Sequence, residues 1–298
     1  MRVSFLWWNT SLSPARGESA NSSHKDYAIA KLNFLIEELG IDFLALGEVS
    51  ESDVAMLKEN CTHTNYELLN GCEKAGRTKF DSCILYDSSI FEFKEIENIT
   101  YSKAGQTLKV GQRYSFLFSS EMLPIHFFVS HWPSRHRTGK GAPNRATLGE
   151  RLRDAVDEIL ENYGEEALIV LLGDYNDEPF DVSMSDHLLA TRDRELVRKK
   201  PRLLYNPFWR HLGHSGPKSH DLGEPLVDGG TYYYKSDPYC RWRTFDQIIV
   251  SSKLLDETGW HINEEFTKSL RIEGFGAKIL DRNEKFDHFP VISAIERR

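Results

Sequence analysis

The chain is short of cysteine, of long apolar runs and of positive charge, and each shortage excludes something. Four cysteines, Cys61, Cys72, Cys83 and Cys240, are too few for a disulfide framework in 298 residues, and they do not form a metal-type pair. Reduced thiols in a cytoplasmic protein are therefore expected. No segment is apolar for long enough to cross a bilayer. The N-terminus runs directly into Val3-Ser4-Phe5-Leu6-Trp7-Trp8-Asn9, without the basic stretch and cleavage site of a secretory leader. A formal net charge of -8 excludes a surface coated in basic residues for non-specific nucleic-acid binding, so any anionic ligand must be met locally. Linkers rich in Pro, Ser or Gly are missing too, as are internal repeats, and residues 1–298 read as one domain.

What is present is a succession of buried strands that end in polar bursts. The most informative is Leu168-Ile169-Val170-Leu171-Leu172-Gly173-Asp174-Tyr175-Asn176-Asp177-Glu178-Pro179. Its aliphatic run predicts a strand covered on both faces, and the residues after it break that strand into a turn. Residues 2 to 8 and 41 to 46 read as strands of the same kind, ending at Asn9-Thr10 and Gly47-Glu48. Between them, His24 to Leu39 has apolar residues at helical spacing, with Ser22 or Ser23 as N-cap and Gly40 past the end. Ser50 or Ser52 caps a short helix through Lys58. Tyr66 to Ile99 predicts two or three strands without evident chemistry. Residues 112 to 119 and 124 to 130 predict an antiparallel pair ending at His131-Trp132-Pro133, and a helix from about Arg145 to Tyr163 follows. Residues 181 to 240 are the least legible. Strands return at Thr231 to Tyr234, Thr244 to Val250 and after Phe286-Asp287-His288-Phe289-Pro290. Hairpin pairs outnumber strand-helix-strand units, which predicts an α/β layered sandwich rather than a doubly wound sheet.

The residues at the strand ends are Asn9, Glu48, His131, Asp174, Asn176, Asp246, Asp287 and His288. Carboxylates and amides at one rim would make a hard oxygen site for Mg²⁺ or Mn²⁺, with imidazoles available for proton transfer. Phosphoester hydrolysis requires such a set.

The ordered motifs Trp-Asn, Gly-Glu, Ser-His-Trp, Gly-Asp-Tyr-Asn, Phe-Asp-Gln-Ile and Asp-His-Phe-Pro, from Asn9 to Pro290, resemble the endonuclease/exonuclease/phosphatase superfamily, the DNase I-like proteins. The resemblance implies a four-layered α/β/β/α sandwich of two mostly antiparallel sheets flanked by helices, with the site at one edge. It implies Glu48 as principal metal ligand, with Asn9 beside it and Asp287 completing or bordering the ion site. His288 would activate water with Asp246 orienting it, Asp174 would compete as base or second-metal ligand, Asn176 would hold the phosphate or nucleophile, and His131 would steady the phosphate or the leaving group. Gly47 and Ser130 depart from the usual pattern beside the metal glutamate and the first histidine, which leaves the subfamily open.

Basic and aromatic residues suggest the ligand. Arg135, His136, Arg137, Lys140 and Arg145 follow His131 and would grip phosphates, unless they are merely a solvated face. Arg192 to Arg202 reads as a surface helix or a nucleic-acid contact. Trp132, Trp209 and Trp242 are candidates for stacking on bases, with Trp242 between Arg241 and Arg243 expected to line the cleft. The expected activity is that of a metal-dependent nuclease acting on DNA or RNA. The alternatives are a phosphatase or phosphodiesterase acting on a small or lipid-linked phosphate, and a binding module that has lost catalysis. An AP endonuclease fits less well, since that branch lacks a histidine at the position of His131.

Overall fold

A computed structural model describes residues 1–15, 19–61, 63–135, 142–213 and 229–297. Two seven-stranded sheets form its centre. The first runs His261–Ile262, Val291–Glu296, Arg2–Asn9, Phe43–Gly47, Ser82–Asp87, Tyr66–Asn70, with Lys268–Ser269 also pairing to Val291–Glu296. The second runs Ala190–Thr191, Leu204–Tyr205, Asp246–Ser251, Leu168–Asp174, Leu123–His131, Gln106–Phe118, Phe91–Lys103. Both are mostly antiparallel. In each, one central pair of long strands is parallel: Arg2–Asn9 with Phe43–Gly47, and Leu123–His131 with Leu168–Asp174.

Strand periodicity explains the layers. Val3, Phe5 and Trp7 point between the sheets, where they meet Phe127, Val170, Leu172 and Ile248 of the second sheet. Leu6 and Trp8, one residue out of phase, face a layer that includes Leu32 and Leu35 of the Ser22–Glu37 helix and Phe275 and Ile279 of the Phe275–Leu280 helix. On the far side, Ile169 and Leu171 face Leu148, Leu152 and Val156 of the Pro143–Tyr163 helix. Because both faces of the central strands are covered, their sequences read as unbroken aliphatic runs. The α/β/β/α order of layers is the expected one.

Several boundaries move. The first helix begins at Ser22 and its N-cap is Asn21, whose side chain accepts the His24 N–H at 2.9 Å, rather than Ser22 or Ser23. Ser50 caps the Glu51–Asn60 helix in a reciprocal box with Asp53. The predicted 112–119 strand is the inner half of a much longer hairpin, Phe91–Lys103 with Gln106–Phe118. The expected Thr231–Tyr234 strand shrinks to Tyr232–Tyr233, paired with Trp242–Arg243. Among the described residues no helix is long and apolar enough to cross a membrane.

Candidate active site

Register brings the polar strand ends together. Asp174 lies opposite His131 on its parallel neighbour and opposite Asp246 on its antiparallel neighbour, so three candidate site residues share one level of the second sheet. In the first sheet Asn9 lies opposite Gly47, and Gly47 opposite Ser82, which places Glu48 and Asp81 on the corresponding edge. Gly173 permits the close approach, because a Cβ there would stand 1.9 Å from the Ser130 carbonyl oxygen. Gly47 is explained in the same way. A Cβ would lie 2.4 Å from Cη2 of Trp7, whose indole crosses the space between the sheets.

That indole is part of the site. Trp7 Nε1 donates to Asp246 Oδ1 at 2.8 Å, and Asp246 Oδ2 stands 2.7 Å from His288 Nδ1. An ionised carboxylate only accepts, so Nδ1 carries the proton and Nε2 faces the cleft. There it lies 3.8 Å from Asp174 Oδ2 and 3.8 Å from Asp287 Oδ1. Burial alone would lower the His288 pKa, but Asp246, Asp287 and Asp174 outweigh it and hold the imidazole well above its ordinary value.

A second pair mirrors the first. His131 Nδ1 stands 2.9 Å from Asp81 Oδ2, and its Nε2 lies 3.9 Å from the same Asp174 Oδ2. Lys109 donates to the other oxygen of Asp81. Burial opposes ionisation of Asp81, but His131 and Lys109 prevail and hold it far below the usual carboxylate range. The His131 pKa is raised in turn: burial pulls it down, and Asp81 and Asp174 more than compensate. Asp174 is thus the centre of an alternating row, carboxylate and imidazole to either side. Burial raises its own pKa against the pull of His288 and His131.

Asn176 braces Asp174. Its backbone N–H and its Nδ2 both donate to that carboxylate, at 2.8 and 3.1 Å, and Nδ2 also donates to Trp132 O at 3.0 Å. Both amide protons are therefore committed, to Asp174 and to Trp132 O, which the sequence did not reveal when it marked Asn176 for the phosphate.

Glu48 occupies a recess between the rows. Its pKa is pushed up to about 7, chiefly by burial, with His131 and His288 opposing and Asp287 adding to the rise. Asp287 accepts from Ser11 Oγ at 3.2 Å, and Asn9 Oδ1 accepts from Ser11 N at 3.2 Å while keeping a second lone pair. Ser11, Glu48 and Asn176 have φ of 52°, 55° and 50°, in the left-handed region, where a side chain costs about 1–2 kcal/mol. Such strain gathers at ligand-binding sites. Glu48, Asp287 and Asn9 are hard oxygen donors with more negative charge than their neighbours neutralise, which suits a divalent cation. Asp174, Asp246 and His288 also offer ligand atoms within 4.8 Å of one another, although both oxygens of Asp246 already have partners.

The expected phosphate grips are placed differently. Arg145 is 2 % exposed and donates to Asp177, to Pro133 O and to Tyr175 O, so it is a pillar beneath the loop and not a cleft residue. Arg135 likewise donates to Asn176 O, Asp177 and Asp181, and its guanidinium lies 4.7 Å from the Phe245 ring. His136, Arg137 and Lys140 lie outside the described residues. Trp132 is fully buried in the outer core and presents no face for a base, while Trp209 is covered by Arg192 at 4.9 Å. Trp242 packs on Tyr233 and Phe289 and, with Tyr239 and Arg241, lines an open hollow of about 690 Å³. Within the 192–202 run, Arg194 pairs with Glu264, Arg198 with Glu195 and Arg202 with Asp157. Asp81, Lys109 and Trp7 were not marked in the sequence. Asp81 alone left a trace, as a lone carboxylate immediately before the buried strand Ser82–Asp87.

Two face-to-face sheets between helical layers, with carboxylates and imidazoles gathered along one rim, are the DNase I-like architecture. The chain belongs to the Endonuclease/Exonuclease/phosphatase family, whose model matches residues 25–297. Members of that family are phosphoesterases. Solved structures share the fold at low identity. The human Nocturnin catalytic domain with bound sulfate has a TM-score of 0.62 at 15% identity, covering 100% of this chain and 95% of that one. TDP2 of D. rerio, complexed with single strand DNA product, has a TM-score of 0.60 at 17% identity, covering 99% of each chain. A mannosyl-6-phosphatase of Bacteroides thetaiotaomicron has a TM-score of 0.58 at 15% identity, again covering 99% of each. No curated protein matches by sequence.

Proposed function

We propose that the chain is a divalent-metal-dependent phosphoester hydrolase that cleaves phosphodiester bonds of DNA or RNA by attack of an activated water on phosphorus. The observation that carries this reading is the row Asp246, His288, Asp174, His131, Asp81 beside the recess of Glu48, Asn9 and Asp287. Glu48 would hold Mg²⁺ or Mn²⁺ with Asn9 and Asp287. When bound, the ion supplies Lewis-acid neutralisation of the phosphate and of the carboxylate charge that keeps His288 protonated.

The chain's own groups account for the rest. His288 takes the water's proton at Nε2, since Asp246 fixes the opposite nitrogen as N–H. Asp174, held by Asn176 between the two imidazoles, keeps both rings pointed into the cleft and is the other candidate base. His131 presents Nε2 to the phosphate or the leaving oxygen. A protonated imidazole there suits a poor leaving group such as a sugar alkoxide, and Asp81 and Asp174 maintain it against burial and the charge of Lys109.

A second reading, a phosphatase for small or lipid-linked phosphates, is supported by Arg135 and Arg145. Both are committed to carboxylates of the 174–181 loop, which removes two cations expected to follow a polyanion. The test is hydrolysis with Mn²⁺ or Mg²⁺, with and without EDTA, of single- and double-stranded DNA, RNA, bis-p-nitrophenyl phosphate, and sugar and nucleotide monophosphates. Polynucleotide cleavage abolished by EDTA and by His288→Ala supports the nuclease. Activity confined to small esters moves the assignment to the second reading, and inactivity on every substrate rejects both.

A further inference from the structure

We infer that Tyr232 contacts the substrate, its hydroxyl donating a hydrogen bond to a phosphoryl oxygen held between His288 and the Glu48 recess. The inference rests on the phosphoester reading above. Tyr232 belongs to the short ladder Tyr232–Tyr233 with Trp242–Arg243, which is stitched to the catalytic segment on both sides of His288. Tyr232 itself bridges His288, Tyr233 N donates to Asp287 O at 2.8 Å, and Phe289 N donates to Thr231 O at 2.7 Å. Any shift of this ladder would therefore move the histidine.

The ring is fixed as firmly as the backbone. Its centroid lies 4.5 Å from the His288 ring, and it stacks on Phe245 at 5.4 Å with an interplanar angle of 18°. Phe245 immediately precedes Asp246, so Tyr232 is wedged against both members of the His288–Asp246 pair.

The hydroxyl is positioned but unspent. Among the described residues it makes no hydrogen bond, and Tyr232 remains partly exposed. A phenol keeps its proton at neutral pH, so the free hydroxyl is available as a donor. A tyrosine needed only to pack against His288 would gain nothing from a hydroxyl that no neighbouring group satisfies. A donor beside the ion recess and the imidazole fits an anionic oxygen arriving between them.

The test compares wild type with Tyr232→Phe, which keeps the ring and removes only the hydroxyl, in Mn²⁺ at constant pH. Two quantities are read: kcat/KM for bis-p-nitrophenyl phosphate and the dissociation constant of inorganic phosphate by calorimetry. Loss of a hydrogen bond to a charged oxygen predicts a fall of about 10- to 100-fold in kcat/KM, with phosphate binding weakened at least several-fold. The thermal midpoint should not move. A Phe variant within twofold of wild type in both readouts overturns the inference while leaving the phosphoester reading standing. If wild type binds phosphate more tightly than the variant yet hydrolyses no ester, the contact stands and the hydrolase reading falls. If wild type neither hydrolyses the ester nor binds phosphate, both fall.

Discussion

Replacing Asp246 by Asn changes one atom, and the structure dictates where that atom goes. Asp246 is fully buried and serves two donors, Trp7 Nε1 at 2.8 Å and His288 Nδ1 at 2.7 Å. An indole N–H can only donate, so the Asn oxygen must face Trp7 and its NH₂ must face His288. The imidazole can meet an NH₂ only by accepting at Nδ1, which moves its proton to Nε2. The nitrogen assigned to take a proton from water then already carries one. Losing a charge-assisted hydrogen bond costs about 1.5–3 kcal/mol. Adding the disfavoured tautomer gives about 4 kcal/mol in all, or roughly a 10³-fold fall in kcat. KM should change little, because no predicted substrate contact is lost. Turnover of bis-p-nitrophenyl phosphate in Mn²⁺ measures the rate, and ¹⁵N–¹H spectra of the His288 ring report the tautomer. A variant within tenfold of wild type, or a ring that keeps its proton on Nδ1, would refute the reasoning.

Other perturbations separate catalysis from architecture. Glu48→Gln should weaken Mn²⁺ binding at least tenfold by calorimetry while the unfolding midpoint stays or rises, since a carboxylate whose pKa burial raises to about 7 is costly to keep charged. Arg145→Met should remove the buried guanidinium that binds Asp177, Pro133 O and Tyr175 O, leaving Asp177 only Arg135 and Ser183 among the described residues, and cost about 3 kcal/mol of stability in urea unfolding; a change in KM with unaltered stability would restore Arg145 to the substrate. Gly173→Ala must displace the Ser130 backbone, so about 3 kcal/mol or more of destabilisation, or no soluble protein, is expected. His126, away from the cleft, has its pKa lowered to about 4 by burial and by Arg113. Its neutral form is the one the fold accepts. That contribution is complete above the unfolded value near 6.5 and is lost as pH falls toward 4, at most about 3 kcal/mol. His126→Gln should flatten that acid limb in urea titrations, and an unchanged limb would contradict the assignment.

The parts of the site that the sequence disclosed are those punctuated by strand ends. A strand covered on both faces must be aliphatic, so the first polar residue at its end stands out, and Asn9, Glu48, His131 and Asp174 were legible for that reason, while Asp287 and His288 stood out as a polar pair just before the last strand. Contacts made by reach across the sheets were not. Trp7 reads as one more core aromatic, and nothing local shows its indole N–H arriving at a carboxylate 239 positions away. Asp81 and Lys109 lie in a stretch of hairpins whose polar residues alternate with apolar ones, as on any solvated sheet. Arg135 and Arg145 misled for the opposite reason. They adjoin His131 in sequence, but Asp177 and Asp181, supplied by the loop that follows Asp174, bind their guanidinium groups from beneath.

The central claim is that two imidazoles act from either side of Asp174 on one phosphate. Single-turnover cleavage of a short single-stranded oligonucleotide, whose leaving group is a sugar alkoxide, by His288→Ala and His131→Ala, at a Mn²⁺ concentration shown to saturate each protein, tests it most directly. Each variant should lose at least about 10²-fold in rate, as expected for a lost proton-transfer group, while binding Mn²⁺ as wild type does. Retention of more than a tenth of the wild-type rate by either variant would contradict the account.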